Sequence, residues 1–471
     1  MRIFAARCFV AGALALSIAQ AAAADPVDDA IEGVMNSAVA SREPGCTVGV
    51  VRDGALTHAR AFGLADLERG KPLDSHSIFN LASVSKQFTV FALLLLEQDG
   101  RLKLDDPLVK HLPELSASAQ GVSLRHLVHH TGGLRDYIEV LYMNGRGDAD
   151  GTTIDETVRL LARQTGPNEA PGVEYDYSNT GYTLLGVVIA RAAGESLAEF
   201  SRRRIFEPLG MKNTSIVDSY PAGIPALARG YAKTQDGFRI DETGWEQVGD
   251  GQVHSDLHDL ALWDENFYSG AVGGRPLIEK MHQVGLLNSG ESTDYAGGLS
   301  VFESRGVRWV THTGSWVGYR SGIVRVPDEH LSVIALCNRA EADAGGYARG
   351  IAERLLADKL GPPEPETGDK DAEPAPVAAQ WNPGDLARFA GAYYGEEAAA
   401  RCVIDQRGAR LVLEGCAKGA ILTPGKPGEF VADGGPLTLR FPDSGKETGS
   451  FDYWSPGLRG LPFKRIQETF E

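Results

Sequence analysis

Strand-like patterns stand at both ends of one long stretch of this chain, with helical patterns filling the middle, and few folds accept that order. Apolar residues dominate Cys46–Val51 and His58–Gly63, and the Asp53-Gly54 between them is a strong hairpin signal. A helix is expected before them, over Pro26–Ala40. Amphipathic helical patterns run from Ser83 to Leu209. Strand patterns return at Gly298–Phe302, Arg308–His312, Gly318–Val326 and Leu331–Cys337. A closing helix is expected over Gly346–Leu360, where Gly361-Pro362-Pro363 stops it. Strands divided in this way meet late, in one antiparallel sheet, so the expected fold class is α+β with a helical domain inserted.

The chain has 471 residues, more than one ordinary domain holds, and its composition changes after residue 360. Residues 361–380 are rich in Pro, Glu, Asp and Ala and cannot bury enough apolar surface to pack, so they read as a semi-rigid linker. Beyond Trp381 come short alternating segments: Gly391–Tyr394, Arg401–Ile404, Arg410–Leu413, Ala420–Thr423, Leu437–Phe441 and Phe463–Ile466. Regular spacing with turn signals predicts a small all-β barrel or sandwich over 381–471. Because the linker has little to hold it in a core, cutting near Pro376 is expected to release a soluble catalytic fragment.

The first 24 residues have the layout of a cleaved export signal: Arg2 and Arg7, an apolar run from Cys8 to Ile18, then Ala21–Ala24. The run is too short to span a bilayer, so cleavage between Ala24 and Asp25 and a periplasmic or secreted location are expected. Cleavage removes Arg2 and Arg7 and takes the formal charge from −17 to −19. Such an acidic surface repels phosphate backbones and anionic headgroups, which argues against nucleic-acid and membrane-surface partners. Four cysteines remain, Cys46, Cys337, Cys402 and Cys416, in no metal-ligand spacing.

Three short motifs carry the chemistry. Ser83-Val84-Ser85-Lys86 opens a strongly apolar helix, and three residues of spacing put Ser83 and Lys86 on one face. A serine hydroxyl becomes a nucleophile when a neighbouring base takes its proton, and a partly desolvated lysine can do so. Tyr177-Ser178-Asn179 follows downstream: a phenol that can act as acid or base, and an amide with both a donor and an acceptor. His312-Thr313-Gly314-Ser315 ends a strand pattern. Gly314 leaves room for a substrate backbone, Thr313 offers a hydroxyl, and the Ser315 N–H can complete an oxyanion hole. Alone, each motif also reads as an ordinary turn.

In this order, S-x-x-K, Y-x-N and H-T-G resemble the penicillin-recognising serine hydrolases. The resemblance is to the branch holding class C β-lactamases, D-alanyl-D-alanine carboxypeptidases, D-aminopeptidases and related esterases. It covers Pro26 to Leu360 and includes Leu124–Leu134 and Phe206–Met211. It implies a β-lactamase-like fold, an acyl-enzyme on Ser83, and acid/base work shared by Lys86 and Tyr177. Asn179 would hold the acyl amide, and the Ser83 and Ser315 N–H groups would form the oxyanion hole. No cofactor is implied. The substrate is expected to be a small peptide, amide, ester or β-lactam, foremost a D-amino-acid-containing peptide, with the oligomeric state open. In the third motif His312 stands where class C β-lactamases carry lysine, which points toward the peptidase side. A histidine titrating near about 6.5 would make carboxylate recognition weaken as the pH rises through neutrality. In this family the last strand lies beside the first, so a Cys46–Cys337 disulfide is expected. Cys402 and Cys416 flank the turn at Arg407-Gly408 and are expected to form a second.

Other classes fit parts of the pattern. A carboxylesterase, a weak class C-like β-lactamase, and a non-catalytic penicillin-binding or sensor protein share the fold and motifs. An α/β-hydrolase needs G-x-S-x-G, which the chain lacks. A histidine metal site would draw on His126, His129 and His130, or on His254 and His258. Ser255 reads as a helix cap that splits the last pair.

Overall fold

The computed structural model describes residues 25–220, 223–363, 383–417, 419–442 and 448–467. The expected export segment 1–24, and the linker from 364 to 380, lie outside the described residues.

Helix α1 (Pro26–Met35) opens where the Asp25 carboxylate accepts the Val27 N–H at 2.8 Å. It stops before the expected Ala40, because Ser37 turns its hydroxyl back to the Val34 carbonyl and competes with the helix ladder. Strands β1 (Cys46–Arg52) and β2 (Ala55–Phe62) form the hairpin, with Asp53 and Gly54 at φ 50° and 79°, as a type I′ turn requires. The helical domain includes α2 (Lys86–Gln98), α3 (Tyr137–Met143), α4 (Asn179–Ala193) and α5 (Leu257–Ser269). The sheet resumes with β3 (Ser300–Ser304), β4 (Val307–Trp316), β5 (Tyr319–Val326) and β6 (Leu331–Cys337), and α6 (Ala344–Leu355) follows.

The six strands lie in the order β3-β4-β5-β6-β1-β2, so β6 pairs with β1 from Cys46 opposite Cys337 to Arg52 opposite Leu331. Cys46 and Cys337 are joined by a disulfide at the end of that pairing. One face packs on α1 and α6 through Ile31, Met35, Ile351 and Ala352; the other packs on the helical domain through Ile323, Ile334 and Leu336. Cover on both faces explains why β6, Leu-Ser-Val-Ile-Ala-Leu-Cys, is buried at every position rather than at alternate ones.

Eight C-terminal strands close into a barrel: β7 (Gly391–Gly395), β8 (Ala400–Arg407), β9 (Arg410–Glu414), β10 (Ala420–Pro424), β11 (Glu429–Ala432), β12 (Thr438–Arg440), β13 (Ser450–Trp454) and β14 (Leu461–Arg465). A barrel of this size has an interior just wide enough to be filled by side chains. Tyr393, Phe430, Phe451 and Phe463 fill it, and Cys402 is bonded to Cys416 on its wall.

The barrel is docked rather than loosely tethered, which overturns the expectation of easy separation. Val140 and Met143 of α3 are buried in the barrel's own apolar cluster. Burying such a side chain contributes about 1.5–3 kcal/mol, which a cut at the linker would not release. Buried Arg135 pairs with buried Glu397, which also accepts the Thr165 N–H at 3.0 Å and the Thr165 hydroxyl at 2.7 Å. Asn168 donates to the Gly457 carbonyl at 2.9 Å and accepts the Arg459 N–H at 2.8 Å.

Candidate active site

Ser83 stands in a single 3-10 turn, Ala82–Ser85, that feeds directly into α2. Three contacts fix that turn. The Ala82 N–H donates to Asn80 Oδ1 at 2.8 Å, the Ser321 hydroxyl donates to the Leu81 carbonyl at 2.6 Å, and Ser85 Oγ accepts the Val253 N–H at 3.0 Å. Ala82 is held at φ 47°, a left-handed conformation costing about 1–3 kcal/mol that packing must impose.

Lys86 is fully buried and is the hub of the site. Its ammonium donates to Ser83 Oγ at 3.1 Å, to Asn179 Oδ1 at 2.8 Å and to the Asp250 carbonyl at 2.9 Å. The Tyr177 ring lies 4.8 Å from Nζ, and the Tyr182 ring 5.5 Å. Asn179 owes its place to the start of α4, which Ser178 caps by accepting the Gly181 N–H at 3.1 Å. Tyr177, 39% exposed, stands at the cleft mouth. A nucleophile, an ammonium within reach of it, a phenol against that ammonium and an amide beside both can carry proton transfer into and out of an acyl-enzyme.

Strand β4 brings up the third motif, with His312 and Gly314 buried and Thr313 and Ser315 exposed. Gly314 faces the nucleophile: a Cβ there would meet the Leu81 carbonyl at 2.3 Å, so only glycine lets the strand approach. Ser315 lines the cleft beside Ser83 and Asn179. Thr313 is exposed on the same side of the strand as Ser315, with its methyl near Gly345. His312 differs most from expectation. Its Nδ1–H donates to the Thr313 carbonyl at 2.7 Å, which leaves Nε2 to accept the Tyr295 hydroxyl at 2.8 Å. Burial, aided by the Lys86 charge, lowers its pKa to about 3. It is a neutral acceptor at working pH, so the expected titrating carboxylate anchor is corrected.

Several residues of the site were given no role there by the sequence. Asp250 anchors Lys86 through its carbonyl, and its carboxylate, whose pKa is raised by burial, accepts the Tyr137 hydroxyl at 2.9 Å. His130 accepts the Ser178 N–H at 3.0 Å, with its ring against Tyr177 at 4.2 Å. From the barrel, Pro456 and Gly457 join Leu134, Asp136, Glu139, Asp176, Tyr177 and Asn179 around a trough beside the nucleophile. The Gly457 carbonyl accepts the Asp136 N–H at 2.8 Å, and Gly457 N–H donates to Glu139 at 3.1 Å. Burial raises the Asp136 carboxyl pKa to about 7, and that of Asp176 also rises.

The other histidines serve structure. His129 donates to the Tyr295 carbonyl and His254 to the Gln252 carbonyl. His258 lies within α5, whose cap is Asp256 rather than the expected Ser255. Among the described residues no group of three His, Cys, Asp or Glu side chains is placed to hold a metal, and no helix is long and apolar enough to cross a membrane.

Comparison with known proteins agrees with this geometry. Penicillin-binding protein 4* of Bacillus subtilis is 33% identical over 310 residues, covering 63% of this chain and 68% of that protein. D-aminopeptidases of Cereibacter sphaeroides and Gluconobacter oxydans are 27% and 29% identical over 76% and 69% of this chain. These two alignments span 66% and 60% of the aminopeptidases' own length, less than two thirds. Among solved structures, the octameric penicillin-binding protein homologue from Pyrococcus abyssi shares the fold at TM-score 0.62 and 23% identity, covering 93% of this chain and 98% of that one. A D-amino acid amidase from Ochrobactrum anthropi superposes at TM-score 0.58 and 24% identity over 70% of this chain and 98% of its own. Residues 27–358 match the family described as "Beta-lactamase", and the chain belongs to that family of serine hydrolases.

Proposed function

We propose that this chain is an exported hydrolase that forms an acyl-enzyme on Ser83 and releases D-amino acids from the amine end of short peptides or from their amides. The observation that carries it is the Lys86 ammonium, held at once by Ser83 Oγ and Asn179 Oδ1 in a cleft that Ser315 lines. Lys86 and Tyr177 share the proton, and Asn179 steers the acyl residue. The Ser83 and Ser315 N–H groups are the oxyanion donors.

Two features favour the aminopeptidase or amidase type over the carboxypeptidase. With His312 neutral and turned to Tyr295, the third motif supplies no charge for a terminal carboxylate, which also disfavours penicillins and cephalosporins. The trough beside Asn179 is lined by Asp136, Glu139 and Asp176, which suits a substrate α-ammonium. Similarity to D-aminopeptidases supports the same choice.

The test is a panel of D-alanine amide, D-Ala-D-Ala peptide, a short p-nitrophenyl ester and a chromogenic cephalosporin, each with Ser83→Ala as control. Turnover of the amide is expected, and Ser83→Ala abolishes it. Lys86→Ala costs as much, because nucleophile and base act as one unit. Undiminished hydrolysis by Ser83→Ala would sink the assignment. Export is tested by N-terminal sequencing of the mature protein, expected to begin at Asp25.

A further inference from the structure

Two unequal spaces meet near Ser83, which lines the first. One is a pouch of about 50 Å³ walled by Tyr137, Ile138, Trp245 and Trp316. The other is the acid-lined trough, about 310 Å³. Ile138 and Asn179 line both and form the ridge between them.

Away from Ser83, Asn179 and Ser315, which also line it, the polar side chains of the pouch are already engaged. Gln247 accepts the Thr152 hydroxyl at 3.0 Å and donates to Thr157 Oγ1 at 2.9 Å. Gln252 accepts from Asn80 and from the Tyr220 hydroxyl, both at 2.8 Å, and donates to the Trp245 carbonyl at 2.9 Å. The Tyr137 hydroxyl is committed to Asp250. Nothing there calls for a polar substituent. The rings also brace one another, with Trp245 5.2 Å from Trp316 and 6.1 Å from Tyr137 between centroids. A cavity that holds benzene is about 150 Å³, so a methyl or ethyl group fits this pouch and a phenyl ring does not.

We infer that this pouch receives the side chain of the acyl residue and limits it to methyl size, so that D-alanyl substrates are taken and D-phenylalanyl ones are refused. With the carbonyl at Ser83 and Ser315, the α-carbon sits on the ridge, its ammonium toward the trough and its side chain in the pouch. Forcing a ring in would displace packed aromatic walls. The naming of D-amino acids rests on the function proposed above; the size limit does not.

The experiment compares kcat/KM for the p-nitroanilides of D-alanine and D-phenylalanine, and in parallel for p-nitrophenyl propionate and p-nitrophenyl 3-phenylpropanoate. The alanyl anilide is expected to lead by at least about 30-fold, and the propionate by a similar factor. Trp316→Ala, at the last pair before the turn of its hairpin, is expected to raise the phenyl-to-methyl ratio about tenfold, and Ile138→Ala supplies an independent enlargement. If the anilides are inert while the esters keep the order, the size limit stands and the D-amino-acid reading falls. Phenyl substrates turned over within about threefold of methyl ones in the working series overturn the inference, as does a preference that neither variant shifts. Absence of turnover in both series overturns it too.

Discussion

Replacing Glu397 with alanine tests whether the barrel is an integral part of the fold. The Arg135 and Glu397 side chains are 6% and 9% exposed, so the substitution leaves a guanidinium out of water with its charge uncompensated. Its remaining partners are Gln164 Oε1 at 3.0 Å and the Arg459 and Gly460 carbonyls at 3.4 and 3.3 Å, all neutral. Breaking a buried pair from one side costs about 3–5 kcal/mol. Thr165 also loses its acceptor, but it is exposed and water replaces the bond, so little is added. Urea unfolding should therefore show a loss of about 3–5 kcal/mol, with the barrel undocking before the catalytic domain unfolds. Replacing both partners by apolar residues, Arg135→Met with Glu397→Leu, should recover most of that loss, because no charge is then stranded. A cost under about 1 kcal/mol for Glu397→Ala would mean the pair behaves as an exposed one, and the docking argument would fail. A double variant as unstable as the summed singles would refute it as well.

Three further outcomes are expected. His312 holds a pKa of about 3, so its ring should show no NMR titration between pH 5 and 8, and KM for a D-Ala-ended peptide should not follow its charge. His129, His254, His282 and His312 are depressed to between about 3 and 4, whereas unfolded imidazoles titrate near 6.5. Unfolding therefore takes up protons below neutrality, and the stability these groups allow is lost as the pH falls from 6.5 toward 4, measurable as a denaturation midpoint that falls with the pH. Asp136, raised from 3.8 to about 7, works in the opposite sense: its contribution is full below 3.8 and is lost as the pH rises to about 7, so Asp136→Asn should make stability climb more steeply with pH across that window. Reduction of Cys402–Cys416, which closes a loop of sequence separation 14, should lower stability by about 3 kcal/mol, and non-reducing peptide mapping should find both bonds intact in the untreated protein.

The sheet was legible because its strands carry long apolar runs and its hairpin carries Asp53-Gly54; Leu331–Cys337 was placed to the residue. Two barrel strands, Glu429–Ala432 and Ser450–Trp454, went unseen because each is short and follows a polar turn, so too few positions alternate to show a period. At the site, spacing alone put Ser83 and Lys86 on one face, and the structure places them 3.1 Å apart. The orientation of His312 was out of reach, since it depends on Tyr295, seventeen positions upstream and on no shared element. The same holds for Asp250, which acts through a carbonyl, and every residue owns one of those. The docking of the barrel was missed for a related reason: Val140 and Met143 read as ordinary helix residues until the surface they face is known.

The bond between Cys46 and Cys337 spans 291 residues of chain. At about 5–20 residues per second, a ribosome needs roughly 15–60 s to deliver the second partner after the first. Through that interval the opening hairpin has no neighbour on its β1 edge, and an isolated hairpin is marginal at best. Its unpaired apolar edge is open to pairing with other chains, the hazard that holdase chaperones exist to limit. A nascent chain halted between the end of β5 and the start of β6 therefore holds two fragments of sheet with no strand to join them, and it cannot reach a partly active state by folding from its beginning.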